Sequence, residues 1–381
     1  MKKALIITTV SGFVPQFEMN NVKLLQSMGY EVHYATNYNM PVYCSNNERL
    51  NNTGIIKHQI DFVRSPFQVS QNIKAYMQLV DLMHSETFYL VHCHTPMGGV
   101  LGRLAARVTK TFPVIYTAHG FHFFKGSSLL SWTLYYPVER FLARYTDTII
   151  TINNEDYYRA KKFKLRKNGT IEKVNGVGIN TQESNKEISK EKFKDTLGIT
   201  RGSFVIVSVG ELSRRKNHKI VIKALAQVTT STPIVYIICG TGDYKHELER
   251  LAKKLNTRRK VIFLGYRQDI TDILKVTDCF VFPSLQEGLP VALMEAMAAG
   301  LPVICSEIRG NKDLIEDSKG GLLVRSKNSR EFANAIDRLS KDDLLRRNMG
   351  EYNKKVIKRY NIKFINRKMN EIYKRMDCCK K

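Results

Sequence analysis

The chain contains no apolar run of the ~18 residues needed to cross a bilayer as a helix. Its 381 residues also hold no Asp-x-Asp pair and no Gly-x-Gly-x-x-Gly turn. The first absence leaves only peripheral contact with a membrane. The second removes a paired-carboxylate seat for a divalent metal. The third argues against a Rossmann dehydrogenase, because Thr8-Thr9-Val10-Ser11-Gly12 stands where the glycine fingerprint would be.

Cysteine is sparse and unpatterned, with seven residues at 44, 93, 239, 279, 305, 378 and 379. An odd count, with four members in apolar strand-like runs, reads as a reduced cytosolic chain, and no Cys/His spacing resembles a zinc site. Acidic residues are few: 35 Asp and Glu face 60 Lys and Arg, a net charge of +25. Such a field attracts nucleic acid, anionic lipid or phosphorylated substrates alike. The basic residues are dispersed and no nucleic-acid motif occurs, which disfavours a DNA- or RNA-binding protein. After Met1-Lys2-Lys3 the apolar run Ala4–Val10 is short. Gly12, Pro15, Gln16 and Glu18 follow without a cleavage-like site, so a buried first strand is expected rather than a signal peptide.

Short apolar runs alternate with helical patterns along most of the chain. Ala4–Thr9, Val32–Ala35, Ile55–Ile60, Leu90–Cys93, Val114–Thr117 and Thr148–Ile152 read as strands of a first half. Near-continuous apolar strands separated by helices predict a parallel sheet covered on both faces. The pattern lapses after Val174, and Asn175–Lys190 reads as a polar linker. It restarts with Phe204–Val209, Ile234–Cys239, Val261–Leu264, Cys279–Phe282, Val303–Cys305 and Gly321–Val324. Two doubly wound domains are expected, 1–175 and 191–355, facing a central cleft. Residues 356–381 should form a basic amphipathic helix.

Candidate chemistry collects at predicted strand ends. In Phe282–Cys305 a strand ends at Pro283-Ser284 and a loop holds Glu287-Gly288-Leu289. A helix then opens at Pro290, carries Glu295 and stops at Gly300. A carboxylate one turn into that helix can accept from vicinal sugar hydroxyls, and the loop N–H groups suit hydroxyls or phosphate. Val209–Asn217 places a Gly turn and the cations Arg214, Arg215 and Lys216 before another helix, a fit for diphosphate. Gly240 and Gly242 form a further strand-end turn, for which a plain turn is as good a reading. His92, His94, His119 and His122 crowd two strand ends; His92 is expected to point into the sheet.

The Glu287–Glu295 segment resembles the Glu-x7-Glu signature of family 4 glycosyltransferases. The resemblance extends through VHCHTP, YTAHGFHF, YYPVERFLARYTD, VGELSRRKNH, CGTGD and FLGYRQDI. It implies the GT-B fold and retention of anomeric configuration, and is nearest to bacterial enzymes that build exopolysaccharide or capsule units on a polyprenyl diphosphate. By resemblance, the N-terminal domain would bind a lipid-linked saccharide acceptor and the C-terminal one a UDP-sugar. Glu287 would touch the donor sugar, with the backbone of Gly288 and Leu289. Glu295 would bind ribose, Lys216 the diphosphate, and the turn at Arg267 the base. Gly12 would pack near the diphosphate, and His119 would hold the sugar, with His94 and His122 toward the acceptor. The family commonly has Arg directly after the Gly of the diphosphate turn, where this chain has Glu211; Arg214 or Arg215 would supply that cation. Lys216, these arginines and helix ends would neutralise the leaving group without a metal or other cofactor. The final helix would cross back onto the N-terminal domain. The expected place is the inner face of the cell membrane, held by anionic lipid. A GT-B UDP-sugar epimerase or hydrolase shares the same donor site and is the alternative.

Overall fold

The computed structural model describes residues 1–42, 47–180 and 189–378. It divides into two units, Met1–Val177 with Lys363–Lys381, and Gly178–Ile362.

The first unit is built on seven parallel strands. These are β1 (Lys2–Val10), β2 (Tyr30–Asn37), β3 (Ile56–Gln59), β4 (Leu90–His94), β5 (Val114–Ala118), β6 (Thr148–Thr151) and β7 (Thr170–Lys173), in the order β3-β2-β1-β4-β5-β6-β7. The β4–β5 register pairs His94 with Thr117, which brings two histidine-bearing strand ends side by side. Right-handed crossovers send helices to one face when the chain moves one way along the sheet, and to the other when it reverses. Accordingly α1 (Met19–Ser27) covers one face. α2 (Val69–Ser85), α3 (Pro96–Val108), α4 (Leu129–Leu142) and α5 (Asn154–Ala160) follow on the other. The closing helix Ile362–Cys378 joins α1: Ile365, Met369, Ile372, Tyr373 and Met376, recurring at helical spacing, pack on Ala4, Ile6, Ile115 and Ile150.

Two expectations shift. β7 lies just before the point where the strand pattern was read as lapsing. The last helix begins at Ile362 rather than 356, because a break at Lys358–Asn361 separates it from the helix Asp343–Ile357. Of the cysteines described, 93, 239, 279 and 305 are buried thiols and 378 is exposed; 44 and 379 lie outside the described residues. No described helix is long and apolar enough to cross a membrane.

The second unit has six parallel strands: β8 (Phe204–Val209), β9 (Ile234–Cys239), β10 (Val261–Gly265), β11 (Cys279–Phe282), β12 (Val303–Ser306) and β13 (Gly321–Val324). Their order is β10-β9-β8-β11-β12-β13. Each sheet thus has a topological switch point, β1/β4 in the first and β8/β11 in the second, where crossovers diverge and leave a crevice at the strand carboxyl ends.

Candidate active site

In the second unit, the turn after β8 and the loop after β11 meet at the switch point. Glu287 Oε1 accepts from Lys216 Nζ at 2.8 Å and from Arg215 Nη1 at 3.0 Å. Burial opposes ionisation of this carboxyl, but Lys216 and then Arg215 outweigh it and hold its pKa below the usual range. The loop backbone is fixed as well. Arg309 Nε donates to the Glu287 carbonyl at 3.2 Å, and a Cβ on Gly310 would lie 2.4 Å from the Gly288 carbonyl. Leu289 is buried beneath it.

The glycine turns interlock. Gly210 N–H donates to the Cys239 carbonyl at 2.9 Å, Leu212 N–H to Thr241 at 2.8 Å, and Gly240 N–H to Gly265 at 2.7 Å. Gly240 has φ +147°, and a Cβ there would meet the Gly210 carbonyl at 1.9 Å; at Gly242 the Leu212 carbonyl is 2.4 Å away. These two glycines are therefore required by backbone packing alone, whatever they bind.

Arg214 does not join Arg215. Its guanidinium lies 5.9 Å from the Tyr244 ring centroid. Arg267 is engaged by Asp269 at 2.7 Å. Glu295 is exposed on the fifth residue of the helix Val291–Ala298 and makes no hydrogen bond or ion pair among the described residues; desolvation raises its pKa. Sequence reasoning missed Asn217. It takes a left-handed conformation, φ +57°, and its amide ties the β11 end to the β13 exit through the Pro283 and Ser326 carbonyls, at 3.0 and 2.8 Å.

In the first unit, His94 Nδ1 lies 3.1 Å from His119 Nε2, at the β4 and β5 ends. A third group, Glu18, completes the cluster, with Oε1 3.4 Å from His119 Nε2 and 3.7 Å from His94 Nδ1. Glu18 ends a π-helical turn, Val14–Glu18, that follows Gly12 at the β1 end, a distortion common at functional sites. Asn21 donates to its Oε2 at 2.5 Å. Burial raises the Glu18 carboxyl to about 8, lowers His119 to about 4, and takes His94 well below its ordinary value. Phe13 meets His119 edge-on at 4.8 Å between centroids. Phe17, Asn20, Asn21, Thr117 and Val174 line a recess shared by Glu18 and His119.

His92 is buried with both nitrogens engaged, by Tyr373 Oη at 2.9 Å and Thr117 Oγ1 at 2.8 Å, a structural role. His122 turns toward α4, with its ring 4.7 Å from Tyr135. Glu18 was legible only as a carboxylate in an apolar stripe: Val14, Glu18, Val22 and Leu25 share helical spacing and all are buried.

Glu18, His94 and His119 each offer a ligand atom within 4.8 Å of the others, enough to consider a metal ion. However, a ligating histidine usually donates its second nitrogen to an orienting acceptor. His94 Nε2 is buried with no hydrogen-bond partner. A hydrogen-bonded proton network fits the three groups better.

Two doubly wound sheets in one chain, each with a polar cluster at its switch point, define the GT-B class. The family description "Glycosyl transferase 4-like" matches residues 4–153, and "Glycosyl transferases group 1" matches residues 189–356. EpsD of Bacillus subtilis is 36% identical over 98% of this chain and 96% of its own. An Escherichia coli UDP-Gal:α-D-GlcNAc-diphosphoundecaprenol α-1,3-galactosyltransferase is 32% identical over 77% of this chain and 76% of its own. Among solved structures, Anabaena Alr3699/HepE in complex with UDP aligns over 98% of this chain and 100% of its own, with TM-score 0.76 and 20% identity. Sucrose-phosphate synthase from Thermosynechococcus elongatus aligns over the whole of both chains, with TM-score 0.82 and 18% identity. The chain belongs to glycosyltransferase family 4.

Proposed function

We propose that this glycosyltransferase moves a hexosyl or N-acetylhexosaminyl unit, with retention, from a UDP-sugar to a polyprenyl-diphosphate-linked saccharide in surface-polysaccharide synthesis. The observation that carries this reading is the Lys216–Glu287–Arg215 cluster at the second switch point. It offers cations for a leaving diphosphate on the turn after β8 and an ionised carboxylate for sugar hydroxyls on the loop after β11.

In this reading Glu295, which has no partner among the described residues, takes the ribose hydroxyls. Lys216 and Arg215 stabilise charge as it develops on the departing UDP. The acceptor oxygen bonds to the anomeric carbon on the face that the UDP oxygen leaves, and the acceptor proton passes to the departing phosphate. No protein carboxylate bonds to the sugar and no metal is required. His119, steered by His94 and Glu18, holds the sugar. The Escherichia coli relative supports a UDP-sugar donor and a diphosphoundecaprenol acceptor, and the HepE complexes hold UDP or UDP-glucose. Such an acceptor would place the chain at the inner face of the cell membrane.

The test is UDP release from a panel of UDP-sugars, with and without membrane extract. Release that depends on extract, with sugar recovered on lipid, is expected. Release or epimerisation without an acceptor would favour the epimerase or hydrolase reading, and silence with every UDP-sugar would overturn the donor assignment.

A further inference from the structure

The turn that carries Lys216 is tied at both of its ends to one buried phenol. Ser208 stands in β8, just before the turn opens at Gly210, and His218 is the first residue of the helix His218–Leu225 that follows it. His218 Nδ1 lies 3.1 Å from Tyr236 Oη in the neighbouring β9, and Tyr236 Oη donates to Ser208 Oγ at 2.8 Å. Ser208 Oγ donates in turn to the Val281 carbonyl of β11. All three side chains are buried, in the apolar layer that holds Ile206, Val221 and Ile238.

Donor counting fixes the direction of this chain of bonds. A carbonyl only accepts, so the Ser208 hydrogen is spent on Val281 and the Tyr236 hydrogen on Ser208. His218 is therefore the donor, as the neutral Nδ1–H tautomer. Burial, and then the Lys216 charge, lower its pKa to about 3, so the ring stays neutral beside that ammonium. Apolar side chains would fill the same layer without the desolvation that three polar groups cost. What the polar chain adds is one fixed geometry across three strands.

Lys216, two residues before His218, is enclosed by what these bonds hold in place. Its stem crosses Gly210, where a Cβ would lie 3.2 Å from Lys216 Cε, and its Nζ is 4.7 Å from the Phe282 ring centroid. Between Lys216 and His218, Asn217 sits in the left-handed region with its amide on the Pro283 and Ser326 carbonyls. A lysine on a loosely hinged turn spreads over many conformers; one whose turn is pinned at both ends keeps its ammonium near one point. We propose that His218, acting through Tyr236 and Ser208, is a positioning residue that clamps the turn carrying Lys216 and so aims its ammonium at the diphosphate of the donor. This rests on the diphosphate reading above and assigns it a support.

The test is steady-state turnover of a UDP-sugar by the full chain, with amide exchange of residues 210–217 followed on the same proteins without substrate. Tyr236→Phe removes one oxygen, and His218→Leu removes the donor. Each should lower kcat roughly tenfold or more, with KM for the UDP-sugar changed less than about twofold. Each should also speed exchange in 210–217. His218→Asn, whose amide nitrogen stands close to the place of Nδ1, should recover most of the loss. In a Lys216→Met background neither change should lower kcat further, because a support acts only through what it holds. If His218→Leu does not fold, Tyr236→Phe carries the test. The proposal is overturned if Tyr236→Phe keeps wild-type kcat, if the same fold-loss recurs in the Lys216→Met background, or if His218→Asn loses as much as His218→Leu. Faster exchange in these variants of a chain that turns over no UDP-sugar, or whose Lys216→Met form turns over normally, would uphold the clamp and defeat the diphosphate reading.

Discussion

At the Glu18 cluster the native state keeps a proton on a carboxyl that the unfolded chain would release. Between about 4.5 and about 8 the folded protein binds more protons there than the unfolded one, so this group's contribution to stability falls as pH rises through that window. His119 acts in the opposite sense. Its folded pKa of about 4 lies below its ordinary 6.5, so stability is lost as pH falls below 6.5. Above 6.5 only the Glu18 term remains. Glu18→Gln, which imitates the protonated form, should therefore gain stability over wild type as pH rises from 6.5 to 8. The expected gain is about 1–2 kcal/mol, because one proton contributes at most ~1.4 kcal/mol per pH unit and the histidines share it. Melting both proteins across that range checks it, and a pH-independent difference would show that Glu18 is ionised in the fold. Glu295 calls for a different measurement. If Glu295 holds the ribose as proposed, Glu295→Gln loses a charge-assisted hydrogen bond, so UDP affinity should drop by about 1.5–3 kcal/mol in a protein that melts normally. Calorimetry with wild-type affinity would remove the ribose assignment. His119→Ala should lower turnover far more than UDP affinity, since its contacts lie in the unit without the cluster proposed for the nucleotide; equal losses in both would contradict that split.

The strand ends of the second unit are held by backbone contacts that leave no room for a side chain. Gly240→Ala must either displace the Gly210 carbonyl or open the turn that carries Lys216, and it should cost about 2–4 kcal/mol together with UDP affinity. Gly126, at φ +94° with nothing within 4 Å, is the control. There the same substitution meets only dihedral strain, about 1 kcal/mol. Equal losses in chemical denaturation would mean that the interlocked turns impose no steric constraint. The alternating elements were readable because strands buried on both faces must be nearly all apolar, as in Phe204–Val209. β7 was not readable: Thr170-Ile171-Glu172-Lys173 is a half-buried edge strand, with Glu172 spent on Lys368 and Arg375. Glu287, Lys216 and His119 stood out because glycine and proline punctuate their loops. Glu18 and Asn217 did not, because their roles depend on neighbours far along the chain.

Across the whole molecule, the Lys216–Glu287–Arg215 and histidine clusters belong to different units, which gives a spatial prediction. UDP should slow amide exchange in the turns around Gly210, Gly240 and Glu287, and leave residues 90–120 unchanged. Protection confined to the first unit would reverse the assignment of donor and acceptor. Turnover should survive EDTA if Lys216 and Arg215 alone balance the leaving diphosphate; loss on chelation, restored by added metal, would reassign Glu18, His94 and His119 as its ligands. The division into units also has a consequence for synthesis. The first unit is interrupted at Val177 and resumes at Lys363, with Ile372 and Tyr373 buried against strands made at the outset. A ribosome adding ~5–20 residues per second takes ~10–40 s to cover that interval. Until then the face of the first sheet covered by α1 lacks its closing helix. The nascent chain therefore carries an open apolar surface while the second unit is being made, and a chain stopped before Ile365 lacks the side chains that close it.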